Sequence, residues 1–286
     1  MRKVAILTDN TAQFPSLSFP GRNLVRVISF DLLFRDNYFK NCDGIRSIDL
    51  PATLLKDEPF SLVPPDEPAF RQIFSELSKS FNEVLVILSS NDLAPGYANA
   101  VAAVNSIQGG SAIQVINSQT TSVGLGILVQ AAASIIAAGE SITEAERQVR
   151  KMIPHIYTLI CSPSLTFLYK SGYIDYAQAI IGEMSGLYPI FSLDEGEIFP
   201  QQKVRNFRNA IEFFQEFLEE FENLKHIALI QGILSYGNES RTLRQFSQEF
   251  FPNVPFTEHG INVPLSAMVG PKSLSLIAVE DPDINF

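Results

Sequence analysis

Lys3-Val4-Ala5-Ile6-Leu7, followed at once by Thr8-Asp9-Asn10-Thr11, is a short apolar run closed by turn-forming residues, and it reads as a β-strand. Further runs of this kind occupy Val25–Phe30, Glu83–Leu88, Ala112–Ile116, Ile156–Cys161, Tyr188–Leu193, His226–Ile230 and Leu274–Val279. Between them lie helical patterns at Pro68–Ser80, Ala98–Ile107, Thr121–Ala138, Thr143–Met152, Asn206–Phe221 and Glu239–Phe250. Short apolar runs alternating with helices predict an α/β fold with a largely parallel sheet. The helix from Asn206 is amphipathic, with Phe207, Ile211, Phe214, Leu218 and Phe221 at helical spacing. Ser141 or Thr143, with Glu144 and Glu146 following, predicts a capping box at the start of another helix.

Pro154 and Pro163 interrupt the pattern, and its character changes after Cys161. The expectation is therefore two α/β domains, 1–160 and 161–286. The first reads as four parallel strands with helices. The second mixes strands, a hairpin-like SLDEGEIFPQ at Ser192–Gln201 and two long helices.

The chain has 286 residues, 46% of them hydrophobic, and a net charge of −10 from 21 Lys and Arg against 31 Asp and Glu. An acidic surface repels phosphate backbones and anionic headgroups, which argues against nucleic-acid binding and membrane docking. Phe is in excess, with 22 against 8 Tyr and no Trp, so the chain has either a large core or an apolar cavity. Cys42 and Cys161 lie far apart and read as reduced, buried thiols. The opening residues are not a signal peptide, and Val123–Ala138 is too short to span a bilayer, so a soluble, cytoplasmic protein is expected.

Ligands of open α/β sheets bind at strand C-termini. Three of the loops there are polar: Thr8 to Thr11, Ser89 to Asp92 and Asn117 to Ser122. Capping alone would explain any one of them, since Ser, Thr, Asn and Asp serve turns and helix N-termini generally. Three on one sheet edge point instead to a crevice walled by hydroxyls and amides. No GxGxxG, P-loop or GxSxG follows any strand, and Gly124-Leu125-Gly126 is explained equally well by helix packing. His155, His226 and His259 show no metal-ligand spacing; the first two read as structural, and His259 is the one that can line the crevice. Neither a cofactor nor a metal is expected, and the residues do not argue for an enzyme. Pro64-Pro65 after Phe60-Ser61-Leu62-Val63 forms a rigid extended segment that is either a plain linker or a support holding Ser61 at the crevice.

These segments, taken in order, resemble the DegV family of fatty-acid-binding proteins over nearly the whole chain. Thr8-Asp9-Asn10-Thr11-Ala12-Gln13-Phe14-Pro15 is similar to TDSTADLP, Ser61-Leu62-Val63-Pro64 to TSxP, and Ser89 to Tyr97 to SSxLSGTY with one residue inserted. Val115-Ile116-Asn117-Ser118 with Gly124-Leu125-Gly126 resembles VIDS followed by GxG. Leu168 to Ile174 resembles LKKGGRI, Pro189-Ile190 resembles KPI, and Gly270-Pro271 resembles HxGPG. The resemblance implies two α/β domains with a ligand tunnel near their interface. A long-chain fatty acid would lie in it, its carboxylate held by hydroxyls, and a separate fatty-acid kinase would be the partner. By motif match the head-group positions are Ser61, Leu62, Ala94, Tyr173 and Met268. Only Ser61 keeps the hydroxyl of its motif: Leu62 and Ala94 replace serines, Tyr173 an arginine and Met268 a histidine, while Lys272 replaces the last glycine.

A buried carboxylate without donors costs several kcal/mol. Asn10, Ser89, Ser90 and Ser118 are therefore the candidate substitute donors, and Tyr173 and Lys272 are replacements able to restore one. The leading expectation is a non-catalytic carrier of a fatty acid or similar lipid. The alternatives are an interaction module with a vestigial cavity, and an enzyme on a small acyl or hydroxylated substrate using Ser89, Ser118 or His259.

Overall fold

The computed structural model describes residues 3–106, 112–234 and 236–281. Among them, those within 3–31, 63–154 and 195–197 form one compact unit, and those within 32–62, 155–194 and 198–281 form a second.

The first unit is organised by a four-stranded parallel sheet. Its strands are β1 (Val4–Asp9), β2 (Val25–Ile28), β6 (Glu83–Leu88) and β7 (Ala112–Asn117), in the order β2-β1-β6-β7. Every residue of β1 is buried, which is why its sequence is a continuous apolar run rather than an alternating one. Helix α1 (Glu67–Ser78) starts where the Asp66 side chain accepts the Ala69 N–H, with Pro68 in its first turn. It sends Phe70 and Phe74, one turn apart, into Val84, Val86 and Leu88. Helix α2 (Gly96–Ser106) follows β6, and the expected end of that helix at Ile107 lies outside the described residues.

Helix α3 (Ser122–Ala137) is apolar nearly all round and deeply buried, as such a composition requires. A Cβ added at Gly126 would stand 2.1 Å from the Gln13 carbonyl oxygen, so the second glycine of the GxG allows helix and loop to touch. Helix α4 (Ile142–Met152) is capped by Ser141, whose side chain accepts the Glu144 N–H. Rather than closing the reciprocal half of the expected box, the Glu144 carboxylate accepts from Arg147 and Gln148.

The second unit holds two sheets. Strands β3 (Asp31–Phe34), β4 (Asn37–Phe39) and β5 (Phe60–Val63) form a small sheet ordered β4-β3-β5. The larger sheet contains β8 (Ile156–Cys161), β9 (Tyr188–Asp194), β10 (Glu197–Val204), β11 (Leu224–Gln231), β12 (Phe256–Gly260) and β13 (Leu274–Glu280). Its order is β10-β9-β8-β13-β11-β12, with β11 and β12 parallel and the pairs between β9 and β11 antiparallel. On one face, helix α7 (Phe207–Leu218) buries Phe207, Ile211, Phe214 and Leu218 against Leu159, Leu229 and Leu276, and α8 (Gly237–Phe250) adds Leu243 and Phe246. Phe221 lies beyond the end of α7 but still packs on this core. Short helices α5 (Leu165–Lys170), α6 (Tyr176–Met184) and α9 (Val263–Val269) complete the unit.

The units therefore interleave along the chain, whereas the sequence reading divides it once, at 160/161. Leu32–Leu62 groups with the second unit because Leu32, Phe34 and Phe60 pack with Phe167 and Ala267.

Candidate functional site

Parallel β1, β6 and β7 end at one edge of the first unit's sheet, so the loops after them meet, as the three polar segments lead one to expect. Asp9 sits at their centre and is fully buried. Its Oδ1 accepts the Thr11 N–H at 3.0 Å and the Thr11 hydroxyl at 2.6 Å, while Oδ2 accepts the Ser89 N–H at 2.7 Å. Burial pushes the Asp9 carboxyl above its ordinary range, and these donors pull it part of the way back. The Ser89 hydroxyl faces Asp9 without a well-directed hydrogen bond.

Two of the other substitute donors, Ser90 and Ser118, already donate within the chain, and the Asn10 side chain is held through its oxygen. The Ser90 hydroxyl donates to the Gly196 carbonyl at 2.7 Å, the Ser118 hydroxyl to the Thr120 carbonyl at 3.1 Å, and Asn10 Oδ1 accepts the Phe30 N–H at 3.0 Å. The hydroxyls of Thr8, Thr120 and Thr121 are buried and have no hydrogen-bond partner among the described residues. Asp9 and these three threonines are the polar groups at this edge that the sequence reading does not single out. Their sequence signal, a polar residue just past a strand, is the same as that of any cap. Ala94 is buried nearby, its N–H donating to the Ser90 carbonyl.

In the second unit, Ser61 is exposed on β5, and its hydroxyl has only a long contact, 3.3 Å, to the Leu62 carbonyl. Leu62 is half-buried against a cluster in which Phe60 meets Phe34 and Phe167 edge-on, with ring centroids 5.8 and 5.2 Å apart. Met268 is buried in α9, and its carbonyl accepts the Ser171 hydroxyl at 3.2 Å. Tyr173 is half-buried on the wall of a groove of about 580 Å³ that Leu165, Ile174, Ile181, Leu187, Phe191 and Ile198 also line. That volume lies within the usual range of small-molecule sites, about 300–1,000 Å³. Lys203 is the cation among the residues lining it, and Asp175 there is occupied in capping α6.

His259 stands on β12, half-buried. Its Nε2 lies 3.1 Å from the Thr257 hydroxyl, which also lies 2.9 Å from His226 Nε2. The hydroxyl carries one proton, so at most one imidazole can accept from it and at least one must donate to it, which links the two tautomers. Burial, helped by the neighbouring His259, holds His226 down to about 4, and burial lowers His259 as well. His155 is a structural neighbour of Glu280, with Nδ1 at 3.3 Å. Among the described residues no three His, Cys, Asp or Glu side chains gather as a metal site, and no helix is long and apolar enough to cross a membrane. Among the described residues neither Cys42 nor Cys161 forms a disulfide; Cys161 is buried and Cys42 only half-buried.

The sequence pattern of a family described as "Uncharacterised protein, DegV family" matches residues 3–281. The chain belongs to the DegV family. A DegV domain-containing protein of Staphylococcus aureus is 24% identical over 287 residues, covering 98% of this chain and all of that one. Another, from Caldanaerobacter subterraneus, is 26% identical over 219 residues, 77% of this chain and 78% of its own. Among solved structures, a DegV protein of Thermus thermophilus described as fatty-acid-binding superposes with a TM-score of 0.79 at 19% identity, covering 98% of this chain and all of that one. A DegV protein of Eubacterium eligens loaded with heptadecanoic acid gives 0.80 at 13% identity, covering 97% and 100%. The two-unit α/β architecture is thus the DegV fold, carried by a sequence that has kept about a fifth of its identities.

Proposed function

We propose that this DegV chain binds a long-chain fatty acid, or a lipid of similar shape, and carries it without changing it chemically. The observation that carries this reading is family membership over 3–281, joined to solved relatives of the same fold that are described as fatty-acid-binding. The apolar groove beside Tyr173 supports it, since its aliphatic and aromatic walls suit an acyl chain.

Head-group binding falls to Ser61 and Tyr173 among the motif positions, because Leu62, Ala94 and Met268 offer no side-chain donor. At the first unit's sheet edge, Ser89 is the substitute best placed to turn its hydroxyl to a ligand, since Ser90 and Ser118 already donate elsewhere. A fatty-acid kinase is the partner this carrier role implies.

Burial of Ala94 and Met268 favours one second reading, a ligand whose head is less polar than a carboxylate. Thermal unfolding with a long-chain fatty acid and with its methyl ester separates the two. Free acid at 100 times its Kd should stabilise the fold by about 2.7 kcal/mol. A shift with the ester alone supports the second reading, and no shift with either removes both.

A further inference from the structure

Beyond β4 the chain makes a 3-10 turn, Lys40–Cys42, and then Asp43-Gly44 leads into Ile45. Three residues here have left-handed backbones, Asn41 and Cys42 at φ +56° and Gly44 at φ +78°. That region suits glycine and is costly for the other two, so the turn is strained. The anchor comes immediately afterwards: Ile45 is buried with Leu32, Phe34, Phe60 and Phe167, and the Arg46 N–H donates to Asp49 Oδ2 at 2.9 Å.

Asp43 and Gly44 are both exposed. The Asp43 N–H donates to the Lys40 carbonyl at 2.9 Å, but among the described residues the Asp43 carboxylate accepts no hydrogen bond and the Gly44 N–H donates none. Nothing lies within 4 Å of the place a Cβ would take on Gly44. An amide nitrogen attacks the aspartate side chain before it only when it is unshielded, unbonded and able to turn, and glycine leaves it barest. Asp-Gly occurs once in the chain and Asn-Gly nowhere. Other aspartates are protected: Asp9 is buried and accepts from Thr11 and Ser89, while Asp66 and Asp175 cap helices.

We propose that Asp43-Gly44 is a self-modification site, at which the chain isomerises spontaneously to isoaspartate. The Gly44 peptide turns from the extended ψ of 144° at Asp43 until its nitrogen meets Cγ of the neutral carboxyl. An N–Cγ bond forms, the carboxyl hydroxyl and the amide hydrogen depart as water, and a succinimide ring closes. Water then opens the ring. Addition at Cγ restores aspartate, whereas addition at the Asp43 main-chain carbonyl leaves the chain running through Cβ and Cγ. One water is lost and one regained, so no oxidant or reductant is needed. The main chain becomes one carbon longer just ahead of Ile45, which disturbs the packing of Ile45 beside Phe34 and Phe60. The site does not depend on the lipid reading.

Ageing of the folded full chain in mildly acidic water enriched in heavy oxygen tests the proposal, with Asp43→Glu, whose ring would need one more atom, aged alongside. The tryptic peptide 41–46 should split into two chromatographic forms of the same elemental composition. The new form should carry one heavy oxygen and accept methyl groups from a protein isoaspartate methyltransferase; deamidation of Asn41 would change the composition instead. Its rate of formation should lie within about ten-fold of that in a synthetic peptide of residues 39–48, as a loop left free by the fold requires. Isomerised chains should also unfold at lower urea than Asp43→Glu chains of the same age. A folded chain that forms no isoaspartate at residue 43, or forms it far more slowly than the peptide, overturns the proposal, as does equal methyl acceptance by Asp43→Glu. An unchanged urea midpoint in isomerised chains overturns the link to Ile45.

Discussion

Gly126→Ala should destabilise the first unit through one methyl group. The added Cβ would lie 2.1 Å from the Gln13 oxygen, 2.7 Å from the Gln13 carbonyl carbon and 3.2 Å from the Phe14 Cα. Ordinary contact begins near 3.4 Å, so the loop must retreat by 3.4 − 2.1 = 1.3 Å. Main-chain atoms cannot give way as a side-chain tip can. The loop is also tethered, since the Gln13 N–H donates to the Ser122 carbonyl at 3.0 Å and the Ser122 hydroxyl to Gln13 Oε1 at 2.7 Å. Overpacking of this kind costs about 1–3 kcal/mol, and a lost hydrogen bond adds about 1. Alanine returns about 1 kcal/mol in helix propensity. The net loss should be about 2 kcal/mol, read from urea midpoints as a stability change and from a Tm about 4–8 °C lower. Gly237→Ala is the control: nothing lies within 4 Å of its Cβ, so it should match or slightly exceed the parent. If Gly126→Ala unfolds with the parent's midpoint, the close approach is not real and the GxG needs another explanation.

Asp9→Asn leaves at least one of three buried donors without its acceptor and should cost about 1–3 kcal/mol in denaturant titrations. Because the folded pKa of Asp9 is raised, the parent loses stability as pH rises through that pKa, and the variant should lack this component. For His226 the folded pKa lies at about 4, below the unfolded 6.5, so its contribution is complete above pH 6.5 and disappears as pH falls toward 4. The unfolding free energy from urea titrations should fall by about 2–3 kcal/mol more between pH 7 and 4.5 in the parent than in His226→Gln; equal falls would refute the assignment. Ser141→Ala removes the cap on α4 and should cost about 1 kcal/mol, measurable as a lower Tm.

The central strands were readable because burial on both faces writes an uninterrupted apolar run, as in Val4–Leu7 and Val84–Leu88. Helix α7 was readable because Phe207, Ile211, Phe214 and Leu218 record a single buried stripe. Strand β4 is three residues long, and α9 is seven residues, carries Pro264 and is buried almost throughout, so neither leaves a periodicity to detect. The assignment of Leu32–Leu62 to the second unit rests on Phe60 meeting Phe167, more than 100 residues away, and no local pattern encodes such a partner. At the candidate site the loops were legible, but their internal bonding was not. Ser90 and Ser118 look like available donors in sequence, and only their neighbours Gly196 and Thr120 reveal where their bonds go. Asp9 looks like one more cap residue until its burial is known.

Mass spectrometry of the lipid extracted from purified protein tests the carrier proposal most directly. A single long-chain acyl species at close to one equivalent per chain is predicted, with its yield reduced in a variant that places a charge in the groove, such as Ile174→Asp. Protein that yields no acyl species, and takes none up from an excess of fatty acid, would contradict the account.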